Sequence, residues 1–179
     1  MVVDAETLKH WLADYDADNI VIGVVASHSS LQILHGARME GFKTLGIAVG
    51  ENRRRFYKAF PGAEPDEWLM LENYREMLDH AEWFRERNVV IIPHGSLVEY
   101  LGSSNFRALE VPTFGNRGIL HWESSRARQR QWLESGGCTM PRVLEDPHDI
   151  DGPVIVKYAG AKGGRGYFIA RDYRDFRRN

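Results

Sequence analysis

The sequence contains a single cysteine, Cys138, among its 179 residues. One thiol cannot close an intramolecular disulfide, so we expect a reducing, cytoplasmic location. No apolar run reaches the roughly 20 residues that span a bilayer, and residues 1–10 lack the basic-then-apolar pattern of a signal peptide. The net charge is only −2, so no overall positive field favours a nucleic acid or an anionic membrane as partner.

Short apolar runs alternate with helical patterns through the first two thirds of the chain. Runs rich in β-branched residues, without polar interruption, are typical of strands buried on both faces of a parallel sheet. The predicted strands are residues 20–26, 44–49, 68–71 and 89–92. Asp4 and Asn73 are suited to begin two of the helices, and Gly41 to end a third. The alternation predicts an α/β fold, with a Rossmann-like parallel sheet and helices on both faces.

A different pattern begins near residue 123, and we therefore divide the chain into domains at residues 1–122 and 123–179. A polar, arginine-rich helix is expected at residues 124–135. The segments that follow are a short strand at 140–144, a turn at 146–149, and two strands at 153–158 and 166–170 that flank a glycine-rich stretch. Two strands joined in this way predict a β-hairpin.

The glycine-rich stretch and the lysine before it are the strongest chemical signal. Lys157 ends an apolar strand, where the sheet would hold its stem and leave the ammonium group at the edge. Glycines allow backbone N–H groups to approach phosphate oxygens, and nearby cations add charge for a triphosphate. The residues concerned are Gly160, Lys162, Gly163, Gly164, Arg165 and Gly166. The alternative is a solvent-exposed hairpin turn whose charges serve solubility.

Two polar loops follow predicted strands and lead into helices, at residues 27–30 and 93–97. The first has three serine hydroxyls and His28, and the second has the Ser96 hydroxyl and His94. In parallel sheets ligands bind at the carboxyl ends of the strands, so the two loops predict one shared cleft. The alternative is that Ser29, Ser30 and Ser96 only cap helices.

Other polar residues are less informative. Arg117, in the segment Phe114-Gly115-Asn116-Arg117, is suited either to clamp a carboxylate or phosphate or to hold a turn. The spacing of the histidines does not suit a metal site, so we expect no metal ligands within this chain.

In combination, these residues resemble the archaeal PurP family of purine biosynthesis. Members are formate-dependent 5-formaminoimidazole-4-carboxamide ribonucleotide (FAICAR) synthetases, which are ATP-grasp ligases, and the likeness covers nearly the whole chain. The segments that carry it are Ser27-His28, Pro93-His94-Gly95-Ser96 with Tyr100 and Gly102, Phe114-Gly115-Asn116-Arg117 with Trp122-Glu123-Ser124, and Asp149-Ile150-Asp151-Gly152 leading to Lys157 and residues 160–166.

The resemblance implies a pre-ATP-grasp substrate domain followed by the start of an ATP-grasp domain. It implies that ATP phosphorylates formate and that the formyl phosphate is attacked by the amino group of aminoimidazole carboxamide ribonucleotide (AICAR), giving FAICAR in the penultimate step towards IMP. His28 and Ser96 fall on the family's substrate contacts, and Lys157 with residues 160–166 falls within its ATP segment. From charge and position alone, residues 53–55, three arginines in a predicted polar loop at 51–58, are candidates to approach the substrate phosphate.

Members of the family are about twice this length. The resemblance therefore implies that the magnesium ligands lie outside this chain, which we expect to bind the nucleotide weakly and to lack ligase activity alone. The apolar faces of the hairpin, at residues 154–156 and 167–169, would lack part of their cover and favour a homo-oligomer or a C-terminal partner chain. Two other functions stay open: a non-catalytic nucleotide-binding module, and an ATP-grasp ligase for another carboxylate and amine.

Overall fold

The structure, a computed structural model, describes residues 4–158 and 166–179. The chain divides into two compact units, Met1–Ser124 and Ser125–Asn179. In the first unit the strands are β1 (Val21–Val25), β2 (Lys43–Val49), β3 (Glu67–Leu71) and β4 (Val89–Ile91). The helices are α1 (Ala5–Ala13), α2 (Leu31–Met39), α3 (Glu51–Tyr57), α4 (Ala81–Glu86), α5 (Gly95–Leu101), α6 (Ser103–Ala108) and α7 (Ile119–Glu123), with 3-10 turns at Ala17–Asn19, His28–Ser30 and Tyr74–Leu78.

The four strands form one parallel sheet in the order β3-β2-β1-β4, which confirms the predicted parallel α/β fold. The chain adds β2 and β3 on one side of β1 and then returns to place β4 on the other side. The loops after β1 and β4 therefore leave the same sheet edge at the point where the strand order reverses, which is where α/β sheets bind ligands. One bridge between Ile91 and Thr113, not predicted, continues the sheet beyond β4.

Both faces of this sheet are covered, as the apolar strands predict. One face buries a large cluster around Leu45, Ile47, Phe84 and Ile91. The other face buries a smaller cluster that includes Val24, Leu34, Ala48 and Tyr57. The core thereby fixes the carboxyl ends of β1 and β4.

Helix boundaries confirm several of the predicted signals. The Asp4 carboxylate accepts a hydrogen bond of 2.8 Å from the backbone N–H of Thr7 at the start of α1. Asn73 caps the following 3-10 turn by accepting from the N–H of Arg75. Gly41 has φ +81°, the left-handed conformation that ends α2.

Three predictions about secondary structure are wrong. The polar loop expected at residues 51–58 is mostly helix α3, Glu51–Tyr57, because glutamate and arginine are good helix formers and Gly50 at φ +79° allows a sharp entry. The single helix expected after Asn73 is two pieces, a 3-10 turn and α4. Residues 140–144 form no strand; Pro141 has no N–H to donate to a sheet.

The second unit consists of α8 (Arg126–Ser135), a 3-10 turn at Pro147–Asp149, β5 (Val154–Lys157), β6 (Tyr167–Ala170) and α9 (Tyr173–Arg178). The two strands pair antiparallel, which confirms the predicted hairpin. Phe168 on one face packs towards Phe176 of α9. The other face is uncovered within the described residues: Ile155 and Ile169, opposite each other, are 61% and 55% exposed.

Candidate functional site

The turn at residues 27–30 is held by its own serines. Ser27 and Ser30 are fully buried. The Ser30 hydroxyl accepts from the Ser27 N–H at 2.8 Å and donates to the Ser27 carbonyl at 2.9 Å. The Ser27 hydroxyl accepts from the N–H of Ser29 at 3.1 Å. These two serines therefore shape the turn, and the polar groups that it presents to a ligand are His28, which is exposed, and Ser29 beside it.

A tyrosine from α3 locks the same turn. The Tyr57 hydroxyl donates to the Ser27 carbonyl at 2.6 Å, accepts from the Ser27 N–H at 2.9 Å, and also contacts the Ser30 hydroxyl. The Tyr57 side chain is fully buried, and burial raises the pKa of its phenol, so it stays neutral. Sequence reasoning missed this residue because its partners lie thirty positions earlier in the chain.

His94 joins the loop after β4 to the end of β1. Its Nε2 lies 3.0 Å from the carbonyl oxygen of Val25. A carbonyl only accepts, so Nε2 carries the proton and Nδ1 is an acceptor. Nδ1 is buried and has no hydrogen-bond partner among the described residues. Burial lowers the pKa of His94; the hydrogen bond to Val25 opposes this shift and nearby His28 adds slightly to it, so the ring is neutral near pH 7.

The two histidine loops, predicted to share a cleft, thus lie side by side at one sheet edge. Ser96 is also there, in the first turn of α5, but its side chain is only 7% exposed. A ligand that contacts the Ser96 hydroxyl would need a small adjustment of this loop.

Arginine and aromatic side chains lie beside the turn. The Arg53 guanidinium carbon lies 5.6 Å from the centre of the Tyr100 ring, and its Nη2 is 3.4 Å from the Tyr100 hydroxyl. Tyr100 in turn stacks on Tyr74, with ring centres 5.0 Å apart and planes at 15°. The one sequence feature that indicates this grouping is the four-residue spacing of Arg53 and Tyr57, which puts both side chains on one face of α3.

Arg117 has a structural position. Its guanidinium donates to the carbonyls of Phe106 (2.8 Å), Val111 (3.2 Å) and Leu109, and it lies over the Phe106 ring. Burial lowers the pKa of Arg117 to about 10, so it remains charged at neutral pH. Of the two roles left open by the sequence, these contacts favour the one that holds a turn.

In the second unit Lys157 ends β5, opposite Tyr167, and is exposed. Beyond it the N–H of Tyr158 donates to the carbonyl of Gly166 at 2.9 Å, so the hairpin pairing continues past the strands. Five of the predicted ATP-binding residues, Gly160, Lys162, Gly163, Gly164 and Arg165, lie outside the described residues.

Two features are absent from residues 4–158 and 166–179. No group of three or more His, Cys, Asp or Glu side chains is arranged to hold a metal ion. No helix there combines the length and the apolar character that crossing a membrane requires.

The sequence matches a family model over residues 22–144, and the chain belongs to this family, DUF1246, which is described as a protein of unknown function. A curated relative from Methanosarcina mazei is 53% identical over 98% of this chain and 49% of its own length. It is named 5-formaminoimidazole-4-carboxamide-1-(beta)-D-ribofuranosyl 5'-monophosphate synthetase 1. A relative from Korarchaeum cryptofilum, named as the same synthetase, is 46% identical over 98% of this chain and 48% of its own length.

The structural comparison agrees. An IMP biosynthesis protein PurP from Thermococcus kodakaraensis has a TM-score of 0.59 and 31% identity, over 83% of this chain and 48% of that one. N5-Carboxyaminoimidazole synthetase from Staphylococcus aureus, complexed with ADP, shares the fold with a TM-score of 0.66 at 14% identity, over 89% of this chain and 43% of that one.

These relatives confirm the predicted resemblance to the PurP family and the predicted fold class. The chain spans about half the length of the curated relatives that it matches.

Proposed function

We propose that this chain is the substrate-binding portion of an ATP-dependent ligase that joins formate to AICAR and yields FAICAR, ADP and phosphate. The observation that carries the proposal is the pairing of the 27–30 turn with the His94 loop at the reversal point of the sheet. The names of relatives that are 46–53% identical over nearly all of this chain support the same substrate. The cysteine content supports a cytoplasmic setting.

The described side chains suit a nucleotide with an aminoimidazole base. Exposed His28 and half-buried Ser29 present polar groups at this edge of the sheet, while buried Ser27, Ser30 and Tyr57 hold the turn in a single shape. Neutral His94 is fixed in one tautomer by the Val25 carbonyl. A preformed turn of this kind lowers the entropic cost of ordering the site when a ligand binds.

Residues for ATP are proposed in the second unit. Lys157 is an exposed cation at the end of a strand, which suits a phosphate oxygen, and the glycine-rich residues 160–166 would supply backbone N–H groups. Magnesium, when bound, neutralises phosphate charge, and the described residues hold no carboxylate cluster for it. We therefore propose that the remaining ligands belong to a C-terminal half, and that this chain alone binds without turnover.

The direct test is calorimetric titration of the 179-residue chain with AICAR, comparing wild type with His28→Ala, Ser96→Ala and the control His10→Ala on α1. We expect saturable AICAR binding that the first two substitutions weaken about 10-fold, the value of one or two lost hydrogen bonds. The His10 variant should match wild type. If AICAR does not bind, or if neither site substitution changes the affinity, the substrate assignment is wrong.

A second experiment separates the ligase from the two alternative functions. Phosphate release is measured with AICAR, ATP and magnesium when this chain is combined with a C-terminal half from a relative. Release that depends on formate supports the proposed ligase. Release with acetate or bicarbonate but not formate would identify a ligase for another carboxylate, and AICAR binding without release in any mixture would identify a non-catalytic module.

A further inference from the structure

The three consecutive arginines of α3 are not equivalent in the structure. Arg54 lies 3.8 Å from Glu51 on the same helix, and Arg55 is exposed. Arg53 is half-buried and points to the aromatic residues beside the 27–30 turn. We propose that Arg53, and not Arg54 or Arg55, binds the phosphate group of the nucleotide substrate. The proposal rests on the proposed function and adds the residue that would recognise the charged end of that nucleotide.

Arg53 lies on the face of α3 that meets the 27–30 turn. Arg53 is one helical turn before Tyr57, so the two side chains leave the same face of α3. The Tyr57 hydroxyl is 2.6 Å from the Ser27 carbonyl, which places this face directly against the turn. A phosphate bound at Arg53 would therefore lie beside the turn that carries His28 and Ser29.

Aromatic contacts hold the Arg53 side chain and leave most of its hydrogen-bond donors available. The guanidinium lies over the Tyr100 ring, and Tyr100 is itself supported by stacking on Tyr74. A cation over an aromatic face keeps its in-plane N–H groups free. Only one hydrogen bond from the guanidinium to the described residues is present, a long one of 3.4 Å to the Tyr100 hydroxyl. The remaining donors form a fork suited to two phosphate oxygens.

The surroundings of Arg53 also favour an anion. Among the described residues Arg53 has no carboxylate within ion-pair distance, unlike Arg54. The ionisable groups that it faces are Tyr57, Tyr74 and Tyr100. Burial raises the pKa of Tyr57 and Tyr74, and the charge of Arg53 opposes both shifts. A half-buried cation among aromatic side chains is less screened than a cation in water and attracts an anion more strongly.

The test compares ligands with and without the phosphate. The full 179-residue chain is titrated with AICAR, with its nucleoside, and with ribose 5-phosphate. We expect Arg53→Gln to weaken AICAR and ribose 5-phosphate by about 30-fold, as for a lost charge-assisted pair, and the nucleoside by less than about 2-fold. Arg54→Gln and Arg55→Gln are matched controls and should leave all three affinities within about 2-fold of wild type.

Arg53→Lys keeps the charge but not the fork, and we expect it to recover part of the AICAR affinity. Circular dichroism and thermal melting of each variant show whether the chain is folded. Equal losses for AICAR and its nucleoside with Arg53→Gln, or equal losses with Arg54→Gln, would overturn the assignment of the phosphate to Arg53.

The same titrations separate this inference from the proposed function. If wild-type AICAR binding depends on His28 but not on Arg53, the substrate assignment stands and the inference is wrong. If ribose 5-phosphate binds through Arg53 while AICAR binds no better than other nucleoside monophosphates, the phosphate site stands and the substrate assignment is wrong.

Discussion

The hydroxyl of Tyr57 donates a 2.6 Å hydrogen bond to the backbone carbonyl of Ser27, thirty residues earlier in the chain. The same hydroxyl accepts from the Ser27 N–H at 2.9 Å. A single phenol thus ties α3 to the turn that carries His28. The contact couples the stability of the fold to the shape of the candidate site.

Tyr57→Phe tests this coupling. The ring still fills its buried space, but Ser27 loses the phenol, while its bonds to the Ser30 hydroxyl remain. We expect the free energy of unfolding to fall by about 1–2 kcal/mol and AICAR binding to weaken several-fold. Urea unfolding followed by tryptophan fluorescence measures the first effect and calorimetry the second.

The control for that experiment is Tyr158→Phe. The Tyr158 side chain is 50% exposed and its ring lies 5.8 Å from that of Phe168, which the substitution leaves in place. Among the described residues its hydroxyl makes a single long hydrogen bond, 3.4 Å to the Asn179 carbonyl. The free energy of unfolding of the Tyr158→Phe variant should differ from that of wild type by less than about 0.5 kcal/mol. A Tyr57 variant as stable as this control would show that the phenol does not hold the turn.

Local rules predicted the parts of the fold that depend on neighbouring residues. The β-branched run before residue 27 and the run at 44–49 became parallel neighbours, with Val25 opposite Ile47. Asp4 and Asn73 cap helical segments because their side chains need only reach backbone two or three residues ahead. The order of strands and helices then restricts the sheet topology, since parallel crossovers are right-handed and short.

Long-range contacts explain what sequence reasoning missed. Tyr57 bonds to Ser27, which is 30 positions away in the sequence, and Tyr74 stacks on Tyr100, which is 26 positions away. Only the folded sheet brings these pairs into contact. Residues 140–144 have strand-like apolar character but form no strand, because a strand needs a partner and Pro141 cannot donate. The roles predicted for Ser96 and Lys157 remain predictions that ligand binding must test.

The neutral state of His94 predicts a pH dependence. Burial lowers its pKa in the folded chain from the ordinary value of 6.5, so below pH 6.5 the unfolded chain binds a proton that the folded chain does not. The contribution of the neutral His94 ring to the free energy of unfolding is complete above pH 6.5. It is lost as the pH falls from there through the lower pKa that His94 has in the folded chain. We therefore expect the free energy of unfolding to decrease as the pH drops from 7.5 to about 5.

His94→Gln removes the titrating group and should make that decrease shallower. Urea unfolding at a series of pH values gives the two slopes, and His10→Gln supplies the reference for losing a histidine elsewhere. An unchanged slope in the His94 variant would mean that the ring does not remain neutral in the folded chain.

Arg117 is expected to stabilise the first unit rather than bind a ligand. Arg117→Met removes the guanidinium that donates hydrogen bonds to the backbone carbonyls of Phe106, Leu109 and Val111. We expect a loss of about 2–3 kcal/mol in the free energy of unfolding, with unchanged AICAR affinity under conditions where the variant is folded. Arg55→Met, on the exposed face of α3, is the matched control and should change stability by less than about 0.5 kcal/mol. A selective loss of affinity would instead assign Arg117 to the site.

Two glycines give opposite predictions for the same substitution. A Cβ atom on Gly46 of β2 would lie 2.6 Å from Cγ of Pro65 and 2.8 Å from Cζ3 of Trp68, so Gly46→Ala should cost about 1–3 kcal/mol. A Cβ atom on Gly36 of α2 would meet nothing within 4 Å, so Gly36→Ala should gain about 0.5–1 kcal/mol from the helix propensity of alanine. Urea unfolding of the two variants checks both signs. If Gly46→Ala leaves the free energy of unfolding unchanged, β2 and β3 can move apart at this position without cost.

The hairpin face that the described residues leave uncovered predicts self-association of this chain. Ile155 and Ile169 are opposite each other and more than half exposed, with Tyr167 at 54% exposure along the same strand. Apolar surface of this kind gains free energy when it is buried against another surface. The double variant Ile155→Thr, Ile169→Thr keeps β-branched residues in the strands, so it should preserve the hairpin while weakening self-association about 10-fold or more.

Sedimentation velocity over a concentration series measures this change, with Met39→Thr on α2, 73% exposed, as the control for removing an apolar side chain elsewhere. If both variants associate as wild type does, the interface lies on another surface; if both weaken it equally, association is a general effect of exposed apolar side chains.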